Sequence, residues 1–229
     1  EEQYIASFEG DQTKTEVYDY VLSEQDFENM VIAGLPLPRH KGTMWRLLDG
    51  EWIVQFPEWS KAPAEVALSS LQSLHKHPDF NVRHFSGTAT YVKKFMLTSK
   101  ELKMVKGKRL NLNLGRLENI AEVSVNDSDF ALLWKAPYWT DITEKLKVGE
   151  NKVVVRVTNL YPNRMIGDEY LPEKYEYDKY GSLQKFPEWY LKGEYNQRER
   201  VLFVPWKHYH KDDPLLESGL LGPVRLYIE

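Results

Sequence analysis

The sequence has no cysteine among its 229 residues. This absence excludes disulfides, thiolate zinc sites, iron–sulfur clusters and a cysteine nucleophile, although it does not fix the cellular compartment. Long apolar runs are missing as well. The longest, such as Phe130–Trp134, have about five residues, against the roughly 20 that cross a bilayer as a helix. We therefore expect no membrane span.

An excess of charge of either sign is also missing. The 30 Lys and Arg residues oppose 34 Asp and Glu residues, which gives a net charge of −4 and a pI near 5.9. Without a basic field to hold phosphates, the chain is not expected to bind nucleic acid. No basic and then apolar leader opens the sequence, so we expect any signal peptide to be absent or already removed.

Proline and glycine cluster at residues 34–43 and suggest a division of the chain. Residues 1–43 are predicted to be an N-terminal extension, with a strand at Thr15–Leu22 and a short helix over 24–33 that packs on the main domain or serves as a linker. The main domain is predicted over 44–229.

Most of the main domain has the pattern of an all-β protein. Helical spacing is seen only at Ala62–His75, where Val66, Leu71 and Leu74 would form an apolar stripe. Residues 159–200 have little periodicity and are predicted to form one long irregular excursion. Many short strands joined by turns predict a β-sandwich. The predicted strands are Glu51–Phe56, Thr88–Leu97, Arg109–Leu114, Ile120–Asn126, Lys152–Thr158 and Gly222–Ile228.

Aromatic residues are the conspicuous bias, with 7 Trp, 14 Tyr and 9 Phe. Trp134, Tyr138 and Trp139 form one cluster and Trp189 belongs to a second, both in predicted loops. The C–H faces of sugars stack on such rings, so these four residues are candidate carbohydrate contacts. The alternative is that the rings cap the ends of the sandwich core.

The order of several motifs resembles the galactose-binding-like jelly-roll domain of glycoside hydrolases. The likeness covers about residues 45–229. It is strongest to the C-terminal domain of family 106, the α-L-rhamnosidases, and looser to the sugar-binding domain of family 2. The motifs are Phe85–Phe95, Leu112–Asn126, Leu133–Thr143, Gly149–Asn159, Asn163–Asp168 and Ser218–Arg225.

The resemblance implies a non-catalytic module, because the catalytic carboxylates of such enzymes belong to a separate (β/α)8 barrel of about 250 residues. Its partners would be that barrel and a glycan such as a rhamnose-containing polysaccharide, in the periplasm or outside the cell. A structural calcium ion is a further expectation, with no ligands assigned. A stand-alone carbohydrate-binding protein and a protein–protein interaction module without sugar contact are the alternatives.

The segment Asn163–Glu169 is the predicted functional edge, because it follows a strand and loops at strand ends carry recognition in sandwiches. Arg164 offers a fork of donors and Asp168 two acceptors, while Gly167 would let the backbone turn between them. Asn163, Arg164, Asp168 and Glu169 are therefore candidate sugar-binding residues. The alternative is an internal Arg164–Asp168 ion pair that holds the excursion in place.

Overall fold

The computed structural model describes residues 42–172, 175–194 and 200–229. All of these residues fall within one compact unit, His40–Glu229. The strand and helix predicted for the N-terminal extension lie outside the described residues, and the predicted domain boundary stays a prediction.

Short strands dominate the chain. Those in the described residues are β1 (Thr43–Leu47), β2 (Trp52–Gln55), β3 (Glu65–Leu68), β4 (Thr88–Leu97), β5 (Leu110–Asn113), β6 (Arg116–Glu118), β7 (Ile120–Val125), β8 (Ala131–Leu133), β9 (Trp139–Asp141), β10 (Gly149–Thr158), β11 (Gly219–Gly222) and β12 (Arg225–Ile228).

The strands pair in antiparallel fashion into two main sheets. One has four strands in the order β1-β12-β5-β9, and the other has six in the order β3-β2-β4-β10-β7-β8. A small pair, β11-β6, completes the arrangement. The prediction of an all-β sandwich is confirmed.

The core lies on the inner faces of the sheets, as the period of two along each strand requires. On β10 the side chains of Val153, Val155 and Val157 are buried, whereas Arg156 between them is exposed. Leu112 on β5 and Leu226 on β12 are buried in the same cluster. Each such side chain contributes roughly 1.5–3 kcal/mol when fully buried.

The helix predicted at Ala62–His75 is wrong. The segment forms β3 instead, followed by a 3₁₀ turn at Leu74–Lys76. β3 is held by its pairing with β2, in which Leu68 lies opposite Trp52. Leu74 is nevertheless buried. The helix-like spacing of the apolar residues therefore arises because they contact the core from an extended chain. The pairing of β3 with β2 outweighed the helical pattern.

Four short α-helices occur in the described part of the chain: α1 (Phe80–Arg83), α2 (Ser99–Val105), α3 (Pro162–Asp168) and α4 (Glu188–Leu191). The last two lie in the excursion predicted to be irregular. Pro162 starts α3, where a missing backbone N–H is tolerated. In the part of the chain that is described, no helix has the length and apolar character needed to cross a membrane.

Candidate functional site

The predicted recognition segment forms a helix rather than a loop. Residues 162–168 make up α3, and its polar side chains point inward. Asn163 and Arg164 are each 2% exposed and Asp168 is 3% exposed. These three side chains therefore make their contacts inside the protein. Sugar contact by them stays a prediction.

Arg164 and Asp168 form a buried ion pair one helical turn apart. Arg164 Nη2 lies 2.9 Å from Asp168 Oδ1. The same carboxylate accepts hydrogen bonds from the backbone N–H groups of Val201 (3.3 Å) and Leu202 (2.8 Å). This is the geometry of the alternative interpretation, in which the pair holds the end of the excursion in place.

Burial makes the Arg164 guanidinium dependent on its partner. Loss of solvent lowers the pKa of Arg164, and the neighbouring Asp168 opposes that shift. Among the described residues Arg164 Nε has no hydrogen-bond partner. The guanidinium carbon lies 5.8 Å from the centre of the Phe80 ring. Asp168 is therefore the main compensation for a buried positive charge.

Gly167 does not make the turn predicted for it, because it lies inside α3. A Cβ atom at this position would lie 2.6 Å from His84 Cβ and 2.8 Å from Arg164 Nη2. Glycine is needed here so that α3 can approach α1 closely. His84 Nδ1 lies 2.8 Å from the Phe80 carbonyl oxygen, and burial lowers the pKa of His84.

Glu169 follows α3 and is bound by two cationic side chains. Its Oε1 lies 3.2 Å from Arg200 Nη1, and its Oε2 lies 2.7 Å from Lys207 Nζ. These contacts link the end of α3 to the chain after residue 200. Sugar contact by Glu169 also stays a prediction.

A groove of about 270 Å³ lies beside the first residues of α3. Its polar lining consists of Glu118, Asn119, Asn163, Glu217 and Ser218. Its apolar wall consists of Leu160, Pro162 and Leu216. We call this feature the Glu118 groove.

Asn163 holds the apolar wall in position. Its Nδ2 donates to the Leu216 carbonyl oxygen and its Oδ1 accepts from the Leu216 N–H, both at 2.8 Å. Ser218, in the polar lining, donates its backbone N–H to Ser73 Oγ at 2.8 Å. Hydrogen bonds within the protein therefore hold the backbone of the lining at Leu216 and Ser218.

Two carboxylates line the groove, and they differ in the groups that offset their negative charge. Glu217 forms an ion pair with Arg116. Glu118 accepts a 3.1 Å hydrogen bond from Asn119 Nδ2. Burial raises the pKa of Glu118, the charge of Glu217 raises it further, and Arg116 opposes the shift. A partly buried carboxylate with few donors is able to accept more hydrogen bonds.

The four predicted aromatic contacts do not converge on one site. Tyr138 does not line the groove, but its hydroxyl donates to the carbonyl oxygen of Asn119, a lining residue, at 3.2 Å. Trp134 is 66% exposed after β8. Trp139 starts β9 instead of lying in a loop, and its ring lies 4.9 Å from that of Tyr227. Trp189 lies in α4, with its ring 5.1 Å from Phe203.

The carboxylates of the groove were not among the predicted site residues. Glu118 and Glu217 come from distant parts of the chain and meet through the pairing of β6 with β11, in which Glu118 lies opposite Gly219. Nothing local in the sequence marks them. Among the described residues no group of three or more His, Asp or Glu side chains could hold a metal ion, and the structural calcium stays a prediction.

Comparisons with known proteins connect the chain to carbohydrate-active enzymes. A curated protein of Formosa agariphila named as a putative beta-glucuronidase is 42% identical over 182 residues. The solved rhamnosidase from Novosphingobium sp. PP1Y is 34% identical with a TM-score of 0.65 and covers 85% of this chain. The chain is a glycoside-hydrolase-related domain.

Other comparisons add no finer assignment. The solved β-glucuronidase of Ruminococcus gnavus is 23% identical over 54% of this chain, and its TM-score is only 0.42. No family model matches the chain. The predicted assignment to the C-terminal domain of family 106 therefore stays a prediction.

The relatives are much larger than this chain. The matched region covers 80% of this chain and 15% of the Formosa protein, and the Novosphingobium match covers 16% of that enzyme. The chain thus corresponds to a small part of such glycoside hydrolases, as expected for an accessory domain.

Proposed function

We propose that this domain is a non-catalytic part of a polysaccharide-degrading enzyme of the α-L-rhamnosidase type, where it packs against the catalytic barrel and forms one wall of the substrate cleft. The main support is the extent of the two matches: most of this chain matches a region that makes up only 15–16% of the length of each glycoside hydrolase. A region of that size does not contain a (β/α)8 barrel, which needs about 250 residues.

The rhamnosidase type is favoured by the match to the Novosphingobium rhamnosidase, which extends over most of this chain with a TM-score above 0.6. We accordingly propose a rhamnose-containing polysaccharide as the glycan partner. Such a polymer is too large to enter the cytoplasm intact, so we place the domain in the periplasm or outside the cell.

Packing against a second domain is supported by an exposed apolar surface at the end of the six-stranded sheet. Ile120 on β7 is 41% exposed, and Leu132 on the edge strand β8 is 61% exposed. Leu132 lies opposite Glu122, two residues from Ile120, so both apolar side chains project from the same outer face. Trp134, just after β8, is 66% exposed. Large exposed apolar side chains that lie near one another are typical of domain interfaces.

Hydrolysis assays test the non-catalytic part of this proposal. The purified chain should release no product from aryl α-L-rhamnosides, aryl β-D-glucuronides or rhamnose-containing pectic fragments, while an intact rhamnosidase assayed in parallel should. Turnover above that of a mock purification, and abolished by substituting one carboxylate, would contradict the proposal.

A further inference from the structure

We propose that the Glu118 groove binds a single neutral sugar ring, whose hydroxyls donate hydrogen bonds to the carboxylates of Glu118 and Glu217. The inference rests on the proposed function for its class of ligand. It places ligand binding at Glu118 and Glu217, which were not among the candidate residues identified from the sequence.

The first argument is the unused accepting capacity of Glu118. An ionised carboxylate has about four acceptor positions, and the described contacts of this one include a single side-chain donor, Asn119 Nδ2. Ligand hydroxyls would provide the missing donors without adding charge.

The second argument is the charge already present beside the groove. Arg116 is paired with Glu217 and also acts electrostatically on Glu118. With both carboxylates ionised, these two groups and Arg116 together carry a net negative charge, which would repel an anionic ligand. A neutral donor avoids that penalty, and sugar hydroxyls are neutral donors.

The third argument is the apolar part of the lining. Leu160 and Leu216 are exposed apolar side chains that line the groove together with Pro162. The backbone of Leu216 is fixed by both hydrogen bonds of the Asn163 amide. A groove lined by both carboxylate acceptors and apolar side chains matches a sugar ring, which has hydroxyl edges and C–H faces. Fixing the Leu216 backbone in advance reduces the entropy lost on binding.

Size restricts the ligand to one ring. The groove has a volume of about 270 Å³, just below the range of roughly 300–1,000 Å³ typical of pockets for drug-sized ligands. We therefore expect a terminal or single sugar unit in the groove, with any remaining glycan outside it.

The test is an NMR titration of the full chain with L-rhamnose, D-glucuronate and calcium chloride in separate experiments. L-Rhamnose should shift the backbone resonances of residues around Glu118 and Glu217, and D-glucuronate should bind more weakly. Glu118→Ala should weaken rhamnose binding at least about tenfold, as expected for loss of a hydrogen bond to a charged group. Glu122→Ala is the matched control, since Glu122 is on β7 outside the groove, and it should leave binding unchanged.

Several results would overturn the inference: no shift with L-rhamnose, equal binding by Glu118→Ala, stronger binding of D-glucuronate, or calcium shifts confined to the same residues. A second experiment measures retention of the chain on an immobilised rhamnose-containing polysaccharide. It distinguishes failure of the groove assignment from failure of the proposed glycan-binding function. If Glu118→Ala is retained as well as the wild type, the domain binds glycan elsewhere and only the groove assignment fails.

Discussion

The buried pair of Arg164 and Asp168, which we call the α3 cluster, and the Glu118 groove share one helix but use polar residues in opposite ways. On the inner side, Arg164 and Asp168 are buried and bind one another and the backbone at residues 201–202. On the groove side, Glu118 is partly buried and has one side-chain donor. The first arrangement uses its hydrogen bonds within the protein, whereas the second keeps acceptors available.

This difference explains why a cluster of polar residues in a sequence is a weak guide to a binding site. Arg, Asp and Asn close to a glycine are typical of recognition loops, but they are equally suited to joining separate chain segments inside a fold. The distinction lies in which hydrogen bonds remain unused, and that depends on contacts between distant residues.

The largest expected effect comes from Asp168→Ala. Removing one partner of a buried ion pair leaves Arg164 uncompensated, which costs about 3–5 kcal/mol of unfolding free energy. For a domain of this size each 1 kcal/mol corresponds to a change in Tm of roughly 2–4 °C. We expect a Tm about 10 °C lower, measured by thermal unfolding followed by circular dichroism.

Asp127→Asn is the control for that experiment, because asparagine tolerates the positive φ at this position. Asp127 pairs with Lys152 at 3.3 Å, but its side chain is 85% exposed, so the loss of its charge should cost less than about 1 kcal/mol. If Asp168→Ala instead melted like the wild type and lost glycan binding, the carboxylate would serve a ligand and the contrast between the two regions would fail.

A second, smaller effect is expected for Gly167→Ala. The added methyl group would lie 2.6 Å from His84 Cβ, and overpacking of this kind costs about 1–3 kcal/mol. The higher helix propensity of alanine offsets up to about 1 kcal/mol of that cost. Thermal unfolding should therefore give a modest net loss of stability.

The double variant Gly167→Ala/His84→Ala tests the cause. His84→Ala removes the imidazole, whose Cγ would lie 2.8 Å from the added Cβ, but it keeps His84 Cβ. The two changes should therefore destabilise by less than the sum of the single variants, with a coupling of at least about 0.5 kcal/mol. Strict additivity would show that the imidazole does not limit the approach of α3 to α1.

The fold was predictable wherever a strand was long and its side chains alternated. The predicted strand Thr88–Leu97 has the bounds of β4, and Lys152–Thr158 is the main part of β10. A tight turn follows Val125, where Asn126 and Asp127 both have positive φ, and Asn in particular tolerates that conformation. Local pattern was weaker at β3, where four residues depend on pairing with β2.

The candidate site was far less predictable, since its decisive contacts connect distant residues. Asn163 was predicted to bind sugar, and it lines the groove, but its amide is used by Leu216. Tyr138 was predicted as a stacking ring, and its hydroxyl instead donates to the carbonyl oxygen of Asn119, which lines the groove. Glu118 and Glu217 carry no local signal, because the β6–β11 pairing alone brings them together.

The smallest expected effect concerns Glu118 and the pH dependence of stability. Burial raises the pKa of Glu118 above its ordinary value of 4.5, so the folded state binds more protons than the unfolded state between these two pKa values. Stability contributed by this group therefore falls as the pH rises through that window. Glu118→Gln, which cannot ionise, should be more stable than the wild type at pH 8 and gain nothing at pH 4.

Because Glu118 is partly exposed, the gain in Tm at pH 8 should be smaller than the roughly 2–4 °C that corresponds to 1 kcal/mol. The measurement is the Tm of both proteins at both pH values. A variant that is less stable at pH 8 would show that the Glu118 carboxylate has donors within the protein, and the groove would then resemble the α3 cluster.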